Sequence, residues 1–173
     1  ITQDLTLTND RIWIFQNSMV VTKGATLTIE PGTTVRMSEN SRIIVDYESS
    51  LYANGTSENP ITIESDGSGY WRGVMVEDPN NLNEGQYRAL SNFNIESYNS
   101  FEEVVSDDSI NNGNPYWGNV IFNYTTFKDF GTTIQWYGAY FQGPAIYNDC
   151  LFTDFHFGWA YMWNGNPYFN RSN

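Results

Sequence analysis

Carboxylates are the most concentrated reactive groups in this 173-residue sequence. Residues 77–113 hold eight of them (Glu77, Asp78, Glu84, Glu96, Glu102, Glu103, Asp107 and Asp108) and a single base, Arg88. Clustered carboxylates can take Ca²⁺ through oxygen ligands, and Asp107 and Asp108 are the candidate metal ligands. They lack the alternating aspartate spacing of a calcium loop, so a solvated acidic loop competes with that reading. Glycoside hydrolysis would need two carboxyl groups roughly 5–10 Å apart. Adjacent residues on a strand point to opposite faces, so Asp107-Asp108 alone does not make such a pair. The only histidine, His156, stands between Phe155 and Phe157, a setting for packing rather than for a general base. No serine lies in a nucleophile elbow. The only cysteine, Cys150, rules out an internal disulfide, and reads as a small buried residue. No catalytic residue is assigned on these grounds.

The second concentration of chemistry is aromatic. Nineteen of the 29 aromatic residues fall in residues 116–173. Trp136, Tyr137, Tyr140, Trp159, Tyr161 and Trp163 carry polar handles that favour a wet surface. These six are the candidate platform for stacking sugar rings. Rings buried in the interior are the competing reading.

Charge narrows the partners. Acids outnumber bases 20 to 8, for a formal net charge of −12. Nucleic acid needs a basic footprint, so it is not expected as a partner. No apolar run approaches the ~20 residues that cross a bilayer, and membrane insertion is not expected either. With 21 Asn, the three matches to the N-glycosylation pattern (at Asn54, Asn123 and Asn170) are expected by chance.

The elements that position these residues are short and recurrent. Strand-like runs are Leu5–Leu7, Ile12–Ile14, Met19–Val21, Leu27–Ile29, Val35–Met37, Ile43–Val45, Leu51–Ala53, Ile61–Ile63 and Val74–Val76. Three classes recur at 22–26 residues: Leu5, Leu27, Leu51 and Val74; Ile12, Val35 and Ile61; Met19 and Ile43. Later, Ile121–Phe130 aligns with Ile146–Phe155 at an offset of 25, which pairs Phe122 with Tyr147, Phe127 with Phe152, Phe130 with Phe155 and Thr125 with Cys150. The pentapeptide Asn-Gly-Asn-Pro-Tyr occurs at Asn112–Tyr116 and again at Asn164–Tyr168, two such periods apart. Three strands per period of about two dozen residues describe a solenoid whose coils stack like on like. The expected fold is all-β: a right-handed parallel β-helix with three short strands per coil of 22–26 residues. One domain is expected over 1–173, with regular coils in 1–76, an acidic lateral loop or irregular coil in 77–113, and aromatic-rich coils in 114–173.

Three segments carry a family likeness. They are Gly24-Ala-Thr-Leu-Thr-Ile-Glu-Pro-Gly-Thr-Thr-Val35, Ala53-Asn-Gly-Thr-Ser-Glu-Asn-Pro-Ile-Thr-Ile63 and Gly69-Tyr-Trp-Arg-Gly-Val74. Over residues 22–76 the sequence resembles right-handed parallel β-helix repeat proteins of the pectate-lyase-like superfamily. Its flavour is that of large secreted and cell-surface proteins of Bacteroidota exported by type IX secretion. The superfamily is rich in polysaccharide lyases and hydrolases, but of their Asn-Thr-Asp, Asp-Asp, Gly-His-Gly and Arg-Ile-Lys motifs only an isolated Asp107-Asp108 is echoed here. Bases for a lyase are sparse, with Arg36, Arg42, Arg72 and Arg88 the central candidates. The expectation is a non-catalytic secreted or cell-surface module for adhesion, glycan binding or surface assembly, part of a longer polypeptide, with residues 1–9 capping one end. Its partners would be a glycan, another surface protein, the remainder of its own polypeptide or a secretion-system component. No cofactor beyond Ca²⁺ is implied. The alternatives are a polysaccharide lyase or glycoside hydrolase, and a structural component of an extracellular filament or secretion complex.

Overall fold

A computed structural model describes residues 1–46, 48–76, 120–131, 140–142, 145–156 and 168–173. The first coil lays down β1 (Leu5–Leu7), β2 (Ile12–Phe15) and β3 (Met19–Val21). The second contributes β4 (Thr26–Ile29), β5 (Thr34–Met37) and β6 (Ile43–Val45), and the third β7 (Ser50–Asn54), β8 (Ile61–Ser65) and β9 (Gly73–Val76). The fourth supplies β10 (Val120–Asn123), β11 (Thr125–Lys128) and β12 (Tyr140–Gln142). Then come β13 (Ala145–Asn148), β14 (Leu151–Thr153) and β15 (Tyr168–Asn170). All strand pairs are parallel and form three sheets: sheet A, β1-β4-β7-β10-β13-β15; sheet B, β2-β5-β8-β11-β14; sheet C, β3-β6-β9-β12. The expected solenoid with three strands per coil is the observed fold. Residues 1–9, expected as a cap, supply the edge strand of sheet A.

Alternation builds the core. In β4, Leu27 and Ile29 turn inward while Thr26 and Thr28 turn outward, and β5 repeats this with Val35 and Met37 inside. Polar β-branched residues suit the outer side of a pleated strand, and aliphatic ones the dry interior. Farther along the axis the filling becomes aromatic. Phe122, Tyr147 and Phe169 form a face-to-face column with centroid spacings of 5.3 and 4.9 Å. Phe127 stacks on Phe152 at 4.9 Å. Each such pair adds about 0.5–1.5 kcal/mol beyond the area it buries. For these rings, the interior placement holds.

The register agrees with the repeat in some places and departs from it in others. Ile121 pairs with Ile146, Phe127 with Phe152 and Met19 with Ile43, all as the spacing predicts. Val74 does not follow Leu51. It pairs with Ile43 in sheet C, and Leu51 is followed by Val120. The cause is the longer corners before β9: residues 55–60 and 66–72 replace residues 30–33 and 38–42 of the preceding coil, so the strand 23 residues after Leu51 is the third of its coil, and the next described strand of sheet A starts at Val120. Ile12, Val35 and Ile61 share sheet B, but Ile12 pairs with Thr34 and Val35 with Ile63. There the corner between sheets A and B grows from residues 30–33 to residues 55–60, which shifts the count by two.

Corners are fixed by backbone need. Glu30-Pro31-Gly32 turns as expected, with Gly32 at φ 79° and Thr33 N donating to Glu30 O. Trp71 is buried, and its Nε1 donates to Lys128 O at 2.8 Å in the next coil. The predicted equivalence of Thr125 and Cys150 extends to their hydrogen bonds, and Ser172 joins the set. Each side group donates to the carbonyl two residues back, on Asn123, Asn148 and Asn170 respectively.

Candidate ligand-binding face

Of the residues singled out from the sequence, Asp107, Asp108, Trp136, Tyr137, Trp159, Tyr161 and Trp163 lie outside the described residues, as does Arg88. Tyr140 opens β12, where its backbone pairs with Gly73. The other basic candidates are occupied. Arg36 Nε meets Glu64 Oε1 at 2.9 Å on the outer side of sheet B. Arg72 Nε and Nη2 both donate to Asn40 Oδ1, at 3.0 and 2.7 Å. Arg42 is fully buried, and its Nη1 contacts Met75 Sδ at 3.2 Å.

His156 is a packed ring. Its imidazole lies flat on Tyr70 with centroids 4.3 Å apart and planes within 8°. Gly131 pairs with His156, and a β-carbon there would sit 2.1 Å from the His156 carbonyl oxygen. Cys150 is buried, and burial pushes its thiol up to about 11. That is the opposite of the depressed pKa a nucleophilic thiol needs. Among the described residues, no three His, Cys, Asp or Glu residues gather in a way that could hold a metal ion.

The three sheets differ sharply in what they offer to solvent. Sheet C offers little. Ile44 and Met75 occupy its outward-pointing positions, yet are 2% and 1% exposed. Sheet A carries an outer column of Thr6, Thr28, Tyr52, Ile121 and Ile146 in direct register. Beside it runs a column of asparagines: Asn54, Asn123, Asn148 and Asn170.

Sheet B presents the most ordered outer surface. Ile12, Thr34, Thr62, Thr126 and Leu151 stand in one column, each paired in register with the next. Two residues along each strand runs a second column. It holds Ile14, Arg36 and Glu64, then Lys128 and Thr153. The hydroxyl column is thus bracketed by Ile12 at 49% and Leu151 at 47% exposure, with Ile14 at 59% beside Ile12. Solvent-facing aliphatics at both ends of a polar, ion-paired row form a surface of mixed character, repeated at the ~4.8 Å strand spacing. At its edge, Arg11 lies 5.5 Å over the Trp13 ring and pairs with Asp10, whose carboxyl it holds well below the usual range together with the Thr8 hydroxyl. Sequence reasoning missed this face because its residues are spaced by coil and not by motif.

Residues 1–128 match the family described as a pectate-lyase like beta helix domain. The protein belongs to that family. The match covers the coils through β11, and the later strands continue the same three sheets. It carries the β-helix, but neither a Bacteroidota lineage nor a type IX export route. No curated protein and no solved structure matches the sequence.

Proposed function

We propose that this β-helix is a non-catalytic, ligand-presenting module of a secreted or cell-surface protein, and that it holds an extended glycan along the outer face of sheet B. The observation that carries the reading is the in-register hydroxyl column Thr34-Thr62-Thr126 beside Arg36 and Lys128, flanked by exposed Ile12 and Leu151. Its repeat along the axis is close to the rise of one sugar in an extended polymer. Hydroxyls and paired charges hydrogen-bond sugar hydroxyls, and threonine methyls with aliphatic ends meet the apolar ring faces. Extracellular placement and adhesion belong to the same proposal, as does the type IX route suggested by residues 22–76. The net charge of −12 supports solubility outside the cell.

A glycan array on the protein tests it. Binding should weaken about tenfold, ~1.4 kcal/mol, in an Arg36→Ala/Thr62→Ala double variant. Loss of binding in Trp136→Ala or Trp159→Ala alone would move the site to the aromatic platform. Appearance of unsaturated sugar ends on incubation would instead make the protein a lyase. A second reading, surface assembly, is favoured by Ile12 and Ile14 on β2, the edge strand of sheet B. It predicts association on sedimentation that an Ile12→Lys/Ile14→Lys variant abolishes.

A further inference from the structure

The asparagine column on sheet A holds four residues at one register position, and three of them are tied down. Asn148 Nδ2 donates to Asn123 Oδ1 at 2.9 Å, and Asn170 Nδ2 donates to Asn148 Oδ1 at 3.2 Å. The peptide nitrogens that follow two of them are also held. Tyr124 N donates to Asn148 O and Asp149 N to Asn170 O, both at 2.9 Å. Asn54 differs in its side chain. Its amide is exposed and makes no hydrogen bond among the described residues, and Gly55 N makes no backbone hydrogen bond among them.

Its neighbour is constrained to be glycine. A β-carbon at residue 55 would stand 2.5 Å from Asn123 O and 2.6 Å from Tyr124 O. The column places asparagine at 54 and the tight corner admits only glycine at 55, so the fold creates an Asn-Gly step with Asn54 exposed and Gly55 buried against the next coil. We propose that Asn54 is a site of spontaneous deamidation, a chemical modification set by the geometry of this corner. Hydroxide removes the Gly55 amide proton, and the nitrogen attacks Asn54 Cγ. A ring bond forms between that nitrogen and Cγ, the Cγ–Nδ2 bond breaks and ammonia leaves. Water then opens the cyclic imide at either carbonyl, giving aspartate or isoaspartate. Water and hydroxide are the only reactants.

The extended strand holds Cγ away from that nitrogen, so the step proceeds when the corner opens. Residues 55–60 form the longest corner between sheets A and B; Gly55 is buried at its start, whereas Ser57, Glu58, Asn59 and Pro60 are exposed. Exposed corners of this kind open at low cost compared with the core. The two products have different effects. An aspartate leaves the backbone path intact. An isoaspartate adds one carbon to the backbone where Gly55 already abuts Asn123 O.

Incubating the folded protein at mildly alkaline pH, followed by peptide mapping with mass spectrometry, tests the proposal. The peptide containing Asn54 should gain the mass of amide-to-acid conversion and split into two isomers, at a rate proportional to hydroxide. It should convert about tenfold faster than Asn123, Asn148 or Asn170, a barrier difference of ~1.4 kcal/mol. Asn54→Gln should abolish the change without unfolding the protein, as circular dichroism would verify. Asn54 remaining an amide in the folded protein while the denatured protein converts at that position would overturn the proposal, as would equal conversion of Asn123.

Discussion

Replacing Phe127 with alanine removes the ring on which the fourth coil converges. Phe127 is fully buried on the inner side of β11. It stacks on Phe152 at 4.9 Å and meets Phe122 and Tyr147 edge-on at 5.1 and 5.7 Å, with Trp71 at 6.2 Å. A buried Phe→Ala change costs about 3–5 kcal/mol, including the cavity left behind. These aromatic neighbours place Phe127 at the upper end, because rings packed from both axial directions cannot collapse into the gap. At a urea slope of roughly 2 kcal/mol/M, the unfolding midpoint falls by about 2 M. The companion variant is Thr126→Ala, one residue away on the same strand and on the outer side, where the change stays within about 0.5 kcal/mol. Both are read by urea titration followed by tryptophan fluorescence and circular dichroism. A Phe127→Ala loss under about 1 kcal/mol, or one equal to that of Thr126→Ala, would refute the idea that the aromatic column holds these coils together.

Four further outcomes are expected. Gly131→Ala should lower stability by about 2–3 kcal/mol, because residue 131 sits at φ 138° with the His156 carbonyl in the way. Gly67→Ala, at φ 94° in open space, should cost about 1 kcal/mol, and thermal melts would compare the two. Asn148→Ala should cost about 1–3 kcal/mol, since it strips a donor from Asn123 and an acceptor from Asn170; denaturant titration measures this. The Cys150 thiol, raised from 9.0 to about 11, lets the unfolded state lose its proton first. Its contribution is therefore complete below pH 9 and is lost as pH rises from 9 through 11. The matching assay is thiol labelling at pH 8, expected to be negligible when folded and complete in denaturant.

The repeat was legible because aromatic and aliphatic residues recur where a coil must refill the same interior slot. Ile121 with Ile146 and Phe127 with Phe152 are the clearest instances. The misplacement of Val74 has a simple physical origin. A strand is identified by its alternation, but its sheet is set by how many residues have gone into the corners, and corners leave no periodic trace. The sheet B face was illegible for a related reason. Thr34, Thr62 and Thr126 are 28 and 64 residues apart, and only the register brings them together. Residues 77–119 and the tryptophans at 136, 159 and 163, conspicuous in composition, lie outside the described residues.

Three successive corners between sheets B and C lengthen along the axis: residues 16–18, 38–42 and 66–72. The strands on either side keep their pairing throughout, since each is held by its neighbours within its own sheet. Three, five or seven residues fit the same junction without disturbing the pairing. That junction is thereby released from a fixed length, and a foreign peptide inserted at Gly67, which borders open space, would be displayed there while Trp71 and Arg72 keep their buried places.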